Sequence, residues 1–190
     1  MASTPSKMVS LGFPLPAFTL PDVVTGATYS SSALAGKPAV VFFICNHCPY
    51  VKRIRDGIAA FGRFCRDHGV PMVAISANDA AAYPDDSPDR MKIEAADAGY
   101  VFPYLFDDSQ AVARAFDARC TPDLFIFGAD GALAYRGQFD DARPKNEAPV
   151  TGKDARAAVE ALLAGKKPDE KQIASIGCNI KWKPGNEPAL

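Results

Sequence analysis

The chain has 190 residues, 48% hydrophobic and 23% charged, with a formal net charge of -1. That length fits one domain with decorations, since domains usually run to about 100–150 residues. The near-neutral charge gives no long-range pull towards nucleic acid or anionic lipid, and no stretch approaches the roughly 18 apolar residues of a membrane span, so neither partner is expected.

Met1 to Ser10 carries a single Lys and no apolar signal region, which predicts a cytoplasmic protein. Leu11 to Lys37 is rich in Pro, Gly, Ser and Thr with short alternations such as Ala17-Phe18-Thr19-Leu20, which predicts a lead-in with one or two short strands. Ala39 to Ile44 is a run of apolar, β-branched and aromatic residues and predicts a buried strand. A helix is predicted from about Cys48 to His68, because Val51, Ile54, Ile58, Phe61 and Cys65 step by 3, 4, 3 and 4. Pro49 suits its first turn, where a missing N–H costs nothing, and Gly69 suits its end.

Val70 to Ser76 reads as the next buried strand. Asn78 to Arg90 reads as a loop in which Asp85, Asp86 and Asp89 are solvated, leading to a helix near Met91 to Ala98. Phe102 to Phe106 is a short extended piece, and Ser109 N-caps a short helix to Phe116. Asp123 to Phe127 and Ala132 to Arg136 form a hairpin around Gly128-Ala-Asp-Gly131. Thr151 and Asp154 resemble a capping box opening a helix to about Ala164, with Gly165 beyond its end. Lys166 to Leu190 has too little periodicity to assign.

The tetrad Cys45-Asn46-His47-Cys48 closes the first buried strand and opens the first helix. Two thiols at this spacing suggest a reversible disulfide, and the unpaired N–H groups of a helix start favour a thiolate. A structural zinc site needs two further ligands, and no second C-x2-C or H-x3-5-H exists in the chain. A purely structural disulfide across so short a loop restrains the unfolded chain little. Redox exchange is therefore the leading reading. Five cysteines, an odd and unevenly spaced set, fit a reducing compartment with transient disulfides.

The order strand, C-x-x-C at a helix start, strand, helix, Thr-Pro, hairpin and final helix resembles the thioredoxin fold, with Cys120-Thr121-Pro122 where that family has its cis-proline. Leu15-Pro-Ala-Phe-Thr-Leu20, Thr25-Gly26 and Gly36-Lys37 look like the peroxiredoxin and TlpA-like branch. Cys45 to Lys52 (CNHCPYVK) and Ser175 to Trp182 (SIGCNIKW) look like a bacterial subgroup labelled thioredoxin-like or AhpC/TSA-like. The resemblance implies an α/β domain over 12–165, with a central mixed sheet flanked by helices, an N-terminal β extension over 12–37 and a C-terminal tail over 166–190. It implies a thiol-disulfide oxidoreductase with no organic cofactor and no resident metal, acting on protein or small-molecule disulfides and thiols. Cys45 would be the exposed attacking thiol and Cys48 the resolving thiol. His47 would stabilise the Cys45 thiolate and lower its pKa. Pro122 would shape the substrate groove, and Thr121 would offer backbone groups to an extended partner peptide.

Departures from the family patterns keep alternatives open. Thioredoxins usually carry a buried acid and a Trp where this chain has Ala39 and Ile44. The peroxidase pattern P-x-x-x-T/S-x-x-C, set on Cys48, meets Val41 and Cys45 at its other anchors. A thiol peroxidase using Cys48 or Cys45, with Arg53 or Arg55 polarising the peroxide, is the alternative. A third reading is Cu(I) carriage by Cys45 and Cys48 with His47 or Cys120, all soft or borderline ligands. Lys52, Arg53 and Arg55 otherwise read as a solvated helix face. Cys65 lies on the apolar helix stripe and is expected in the core. Cys120 stands open between a buried loop thiol and a redox or metal role. Cys178 stands open among a surface thiol, a thiol packed back on the domain and a redox partner of Cys120. Oligomeric state has no signature in the sequence.

Overall fold

An extended chain points successive side chains to opposite sides, so a strand that is apolar at every position must be covered on both faces. Ala39–Phe43 is such a strand, buried along its whole length. The computed structural model describes residues 3–188; Met1, Ala2, Ala189 and Leu190, the extremities of the lead-in and tail, lie outside the described residues. The elements in chain order are β1 (Thr4–Pro5), β2 (Thr19–Pro21), β3 (Thr28–Ser30), β4 (Ala39–Phe43), α1 (Pro49–Asp67), β5 (Met72–Ser76), α2 (Pro88–Ala98), β6 (Tyr104–Phe106), α3 (Ala111–Ala115), β7 (Cys120–Thr121), β8 (Asp123–Phe127), β9 (Leu133–Gly137), α4 (Lys153–Leu163) and β10 (Ile176–Asn179). Short 3-10 turns span Ser31–Leu34 and Pro84–Asp86.

The central sheet has five strands in the order β6-β5-β4-β8-β9. β4 pairs in parallel with β5, and β5 with β6, whereas β8 runs antiparallel to β4 and to β9. This is the mixed α/β sheet flanked by helices of the thioredoxin-like class. On one face Val40 and Phe42 meet Val51, Ile54, Ile58, Phe61 and Cys65 of α1, with Met91 of α2 and Val159 of α4. On the other face Val41 and Phe43 meet Phe18, Leu20 and Leu34 of the lead-in and Phe116 after α3. Phe116 sits edge-on to Phe43, Phe125 and Phe127 at 5.3, 5.4 and 6.0 Å between ring centroids. Each such fully buried side chain contributes about 1.5–3 kcal/mol through apolar area removed from water. No helix among the described residues is long and apolar enough to cross a membrane.

Most differences from the expected elements lie at their ends. α2 starts at Pro88 rather than near Met91, because a proline serves well in a first turn. α3 is limited to Ala111–Ala115, with Gln110 left-handed before it (φ 61°), although Ser109 Oγ accepts from Ala111 N at 3.2 Å as a cap would. α4 begins one residue later than a Thr151 cap requires. Thr151 Oγ1 accepts from Lys153 N at 3.3 Å, while Asp154 takes a hydrogen bond from Gln138 Nε2 at 2.7 Å.

The larger difference is in the segment left unassigned. Ile176–Asn179 forms β10, the middle strand of a three-stranded sheet in the order β1-β10-β7. Cys178 pairs with Thr121 and Asn179 with Cys120. The approach is so close that a Cβ on Gly177 would lie 1.9 Å from the Thr121 carbonyl oxygen. Only glycine fits there, because the contacting atom is backbone and cannot swing away. Gly177→Ala is expected to push β10 off β7 and to cost about 1–3 kcal/mol, as overpacking of a tight contact does. A denaturant midpoint unchanged from wild type would show that β10 docks more loosely than described.

Candidate active site

β4 delivers the tetrad at the carboxyl end of the middle of the sheet. Ile44 still donates to Ile75 O at 3.0 Å, after which the chain leaves the sheet and turns into α1. Cys48 is the N-cap of α1 in extended geometry (ψ 123°), with Pro49 following it in the first turn. Cys45 and Cys48 are 1% and 0% exposed.

Three other segments close on these thiols. The Thr121-Pro122 peptide is cis, and Thr121 Oγ1 lies 3.3 Å from Cys45 Sγ. Cys48 Sγ lies 3.1 Å from the Thr121 carbonyl oxygen and 2.9 Å from Cys178 Sγ. The third segment is the turn over Pro84–Asp86, which buries the Asp86 carboxylate completely. Asp86 Oδ1 accepts from Asn46 N at 2.8 Å and His47 N at 3.2 Å. Asp86 Oδ2 pairs with His47 Nδ1 at 2.5 Å and accepts from Asn78 Nδ2 at 2.7 Å. Asn46 is held further by Nδ2 donating to Asp85 O at 2.8 Å and Oδ1 accepting from Tyr104 Oη at 3.1 Å. The His47 ring stacks on Tyr83 at 5.4 Å, and its Nε2 is buried without a partner.

These contacts set the acidities. The hydrogen bond from Cys45 favours the Cys48 thiolate; burial opposes it, and hydrogen bonds from Cys178 and the Val51 amide add to it, leaving the Cys48 pKa well below that of an ordinary thiol. Cys45 moves the opposite way, raised by the same hydrogen bond, by burial and by the nearby Asp86 charge. His47 is raised above its usual value, chiefly by the hydrogen bond to Asp86 and in spite of burial. Burial pushes Asp86 up, but the hydrogen bonds from His47 and Asn78 outweigh it and hold the carboxyl below its usual value.

Several expectations change on this geometry. Cys45 is not exposed, and its acidity is weakened rather than strengthened, because its hydrogen bond to Cys48 and its burial hold the proton on, the Asp86 charge adds to them, and His47 is engaged by that same carboxylate. Asp86 is not a solvated loop residue but a buried acid at the centre of the site; nothing in the local pattern Pro84-Asp-Asp-Ser-Pro88 separates it from Asp85. Thr121 and Pro122 do lie beside the thiols, but Thr121 already pairs with Cys178 and Pro122 is buried, so no open peptide groove is formed there. Cys178 packs back on the domain and meets Cys48, not Cys120. Cys120 is buried with Sγ 3.4 Å from Pro122 O, and burial raises its pKa. Cys65 is a core residue, its pKa pushed up to about 12 by burial. Arg53 reaches the Ala148 carbonyl at 2.8 Å and Arg55 pairs with Glu94 at 2.6 Å, so neither faces the thiols to polarise a peroxide.

Ligand atoms of Cys45, His47 and Asp86 lie within 4.8 Å of one another. This S, N and O set differs from the expected trio for Cu(I), because a carboxylate replaces the soft third ligand. A cleft of about 270 Å³ opens beside His47, lined by Asn46, Lys52, Arg90 and Glu94 among others. A larger cleft of about 780 Å³ lies under the lead-in around Pro14, Phe18 and Gly131 and includes none of the thiols.

The profile of the AhpC/TSA family matches residues 11–136. No curated protein matches the chain. Among solved structures, an uncharacterized conserved protein from Geobacillus kaustophilus is 47% identical with a TM-score of 0.95, over 97% of this chain and 98% of that one. A hypothetical protein from Sinorhizobium meliloti 1021 is 45% identical with a TM-score of 0.93, over 96% and 100% of the two chains. A thiol:disulfide interchange protein of the thioredoxin family from Chlorobium tepidum TLS shares the fold at 20% identity and a TM-score of 0.63, over 82% and 99%.

The His47–Asp86 pair has a definite pH signature. Because His47 is raised above 6.5 in the fold, its contribution is complete below 6.5 and is lost as pH rises through the raised value. Because Asp86 is lowered below 3.8, its contribution is complete above 3.8 and is lost as pH falls through the lowered value. Asp86→Asn should therefore destabilise most between those two values, by about 1–3 kcal/mol, and should return the His47 titration towards 6.5. An NMR titration of the His47 ring that is the same in both proteins would remove the pair from the site.

Proposed function

The chain belongs to the AhpC/TSA family, and we propose that within it this protein is a thiol-disulfide oxidoreductase whose working pair is Cys45 and Cys48. The observation that supports the reading is a hydrogen-bonded pair of thiols with opposed acidities, set where the central strand meets the first turn of α1. A dithiol that shares one proton at neutral pH holds thiolate character on one sulfur and a neighbouring sulfur able to resolve a mixed disulfide, the two requirements of exchange with a partner.

In the proposed exchange the shared proton moves to Cys48 as Cys45 attacks one sulfur of a partner disulfide. The partner S–S bond breaks, its second sulfur leaves as a thiolate, and a mixed disulfide joins Cys45 to the partner. Cys48, losing its proton again, then attacks Cys45 Sγ. The partner's remaining sulfur leaves, and the Cys45–Cys48 disulfide forms. The pair is oxidised by two electrons and the partner reduced by two; the reverse sequence oxidises a partner dithiol. No organic cofactor is needed, because the electrons stay in sulfur–sulfur bonds. Protein or small-molecule disulfides would dock on the side of the cleft beside His47, which neither thiol lines, since β10 lies over Thr121 and Pro122. The cytoplasm suits such chemistry, because thiols there are kept reduced between turnovers.

Peroxide reduction is the second reading, favoured by the thiolate character of Cys48. It is the weaker one, since the arginines on α1 are bound elsewhere and do not polarise a peroxide at the thiols.

Cys45→Ser is expected to reduce exchange with a model disulfide to the uncatalysed rate, whereas Cys48→Ser should accumulate a mixed disulfide at Cys45 visible by intact-protein mass spectrometry. Undiminished exchange by the Cys45→Ser protein would defeat this assignment. Stoichiometric sulfenylation of Cys48 by peroxide, faster than any disulfide exchange, would transfer the function to the peroxidase reading.

A further inference from the structure

Cys48 has a second cysteine beside it besides Cys45. It hydrogen-bonds to Cys45 and lies 2.9 Å from Cys178, although 130 residues separate Cys48 from Cys178. The third thiol is held by a built segment. β10 is paired on both edges, with Thr4 opposite Gly177 and Thr121 opposite Cys178. Beyond it, Lys181 N donates to Asn78 Oδ1 at 2.8 Å, and Asn78 also holds Asp86. Gly177 lets the strand approach Thr121 closely enough to bring Cys178 to Cys48. Cys178 is only 3% exposed, so Cys48 rather than solvent is what it faces.

We propose that Cys178 is a third redox residue, which exchanges with the Cys45–Cys48 disulfide to give a Cys48–Cys178 disulfide and return Cys45 as a free thiol. The step deepens the oxidoreductase reading and rests on it. The Cys178 thiol loses its proton and attacks Cys48 Sγ. The Cys48–Cys45 bond breaks, its electron pair leaves with Cys45, and Cys45 takes up a proton. One S–S bond replaces another, so no oxidant or reductant is consumed.

The electrostatics favour the step after the pair is oxidised and not before. In the reduced protein Cys178 is pushed up to about 12 by burial, by its hydrogen bond to Cys48 and by the Cys48 charge, against the pull of Lys181. Oxidation of Cys48 removes both of its contributions and leaves Lys181 opposed only by burial. Cys178 is thus held protonated by Cys48 as well as by burial while the pair is reduced, and oxidation of the pair removes the part due to Cys48. Cys120, the other cysteine in this part of the fold, directs its sulfur to Pro122 O.

The consequence for the proposed activity is a second oxidised form. With Cys48 tied to β10, a partner captured at Cys45 cannot be released by Cys48, so turnover pauses until the Cys48–Cys178 bond is reduced.

The test is a time course on the full chain. Reduced protein is mixed with glutathione disulfide, quenched in acid at intervals, alkylated, and its cysteine pairs mapped by peptide mass spectrometry. The expected result is Cys45–Cys48 first, followed by growth of Cys48–Cys178 at its expense with no further glutathione consumed. Cys178→Ser should stop at Cys45–Cys48, and Cys45→Ser should still form Cys48–Cys178 with the added oxidant. Wild type that holds Cys45–Cys48 and never forms Cys48–Cys178 overturns the inference and leaves the oxidoreductase reading standing. Wild type that forms no Cys45–Cys48 disulfide overturns both. The wild-type map decides the question even where a variant fails to fold.

Discussion

A buried carboxylate is tolerated only when its hydrogen-bonding capacity is filled, and that requirement at Asp86 organises everything around the thiols. Its two oxygens are satisfied by the amides of Asn46 and His47, the ring of His47 and the side chain of Asn78. The four donors come from two separate stretches of chain, so the turn at 84–86, the Cys45–Cys48 loop and the end of β5 cannot move independently. Through Asn78 the same anchor reaches Lys181 and the tail. The helix start offers the Val51 amide to Cys48, and a fixed anion sits on the amides of Asn46 and His47 just before it. Thiolate character settles on Cys48, which accepts the hydrogen bond from Cys45, while that bond and burial raise Cys45 and the anion adds to them.

The scaffold beneath this site is a sheet that cannot shift. β4 is packed on both faces, and its neighbours on either side are fully buried strands. Interiors packed this way transmit displacement instead of absorbing it, so the position of Cys45 is set by the sheet and that of Cys48 by the docking of α1.

Much of the fold was legible in the sequence because its strongest signals are local. The run from Ala39 and the 3-4-3-4 spacing from Val51 each report a burial pattern that one element imposes on its own residues. The Cys45–Cys48 motif and Cys120-Thr121-Pro122 were legible for the same reason. What was not legible depends on contacts between distant segments. β10 has no apolar alternation, since it is held by backbone pairing, by the absence of a side chain at Gly177 and by a single inward thiol. Asp86 looks like its neighbour Asp85 until the chain folds it under His47. The acidities of Cys45 and Cys48 follow first from their hydrogen bond to each other and from burial, with Asp86 acting on Cys45 and Cys178 on Cys48, so an expectation based on His47 alone took the wrong sign for Cys45.

The pairing of β1, β10 and β7 also bears on the order in which the protein matures. The strand and helix that carry Cys45 and Cys48 leave the ribosome about 130 residues before Cys178 does, an interval on the order of ten seconds at ordinary elongation rates. Over that interval Cys48 has no cover, and closing a contact across so long a stretch is slow in comparison with local helix formation. The nascent chain therefore passes through a stage in which its reactive thiol is most accessible while its guardian strand does not yet exist. Until β10 docks, the fold itself supplies no cover for Cys48 from that side.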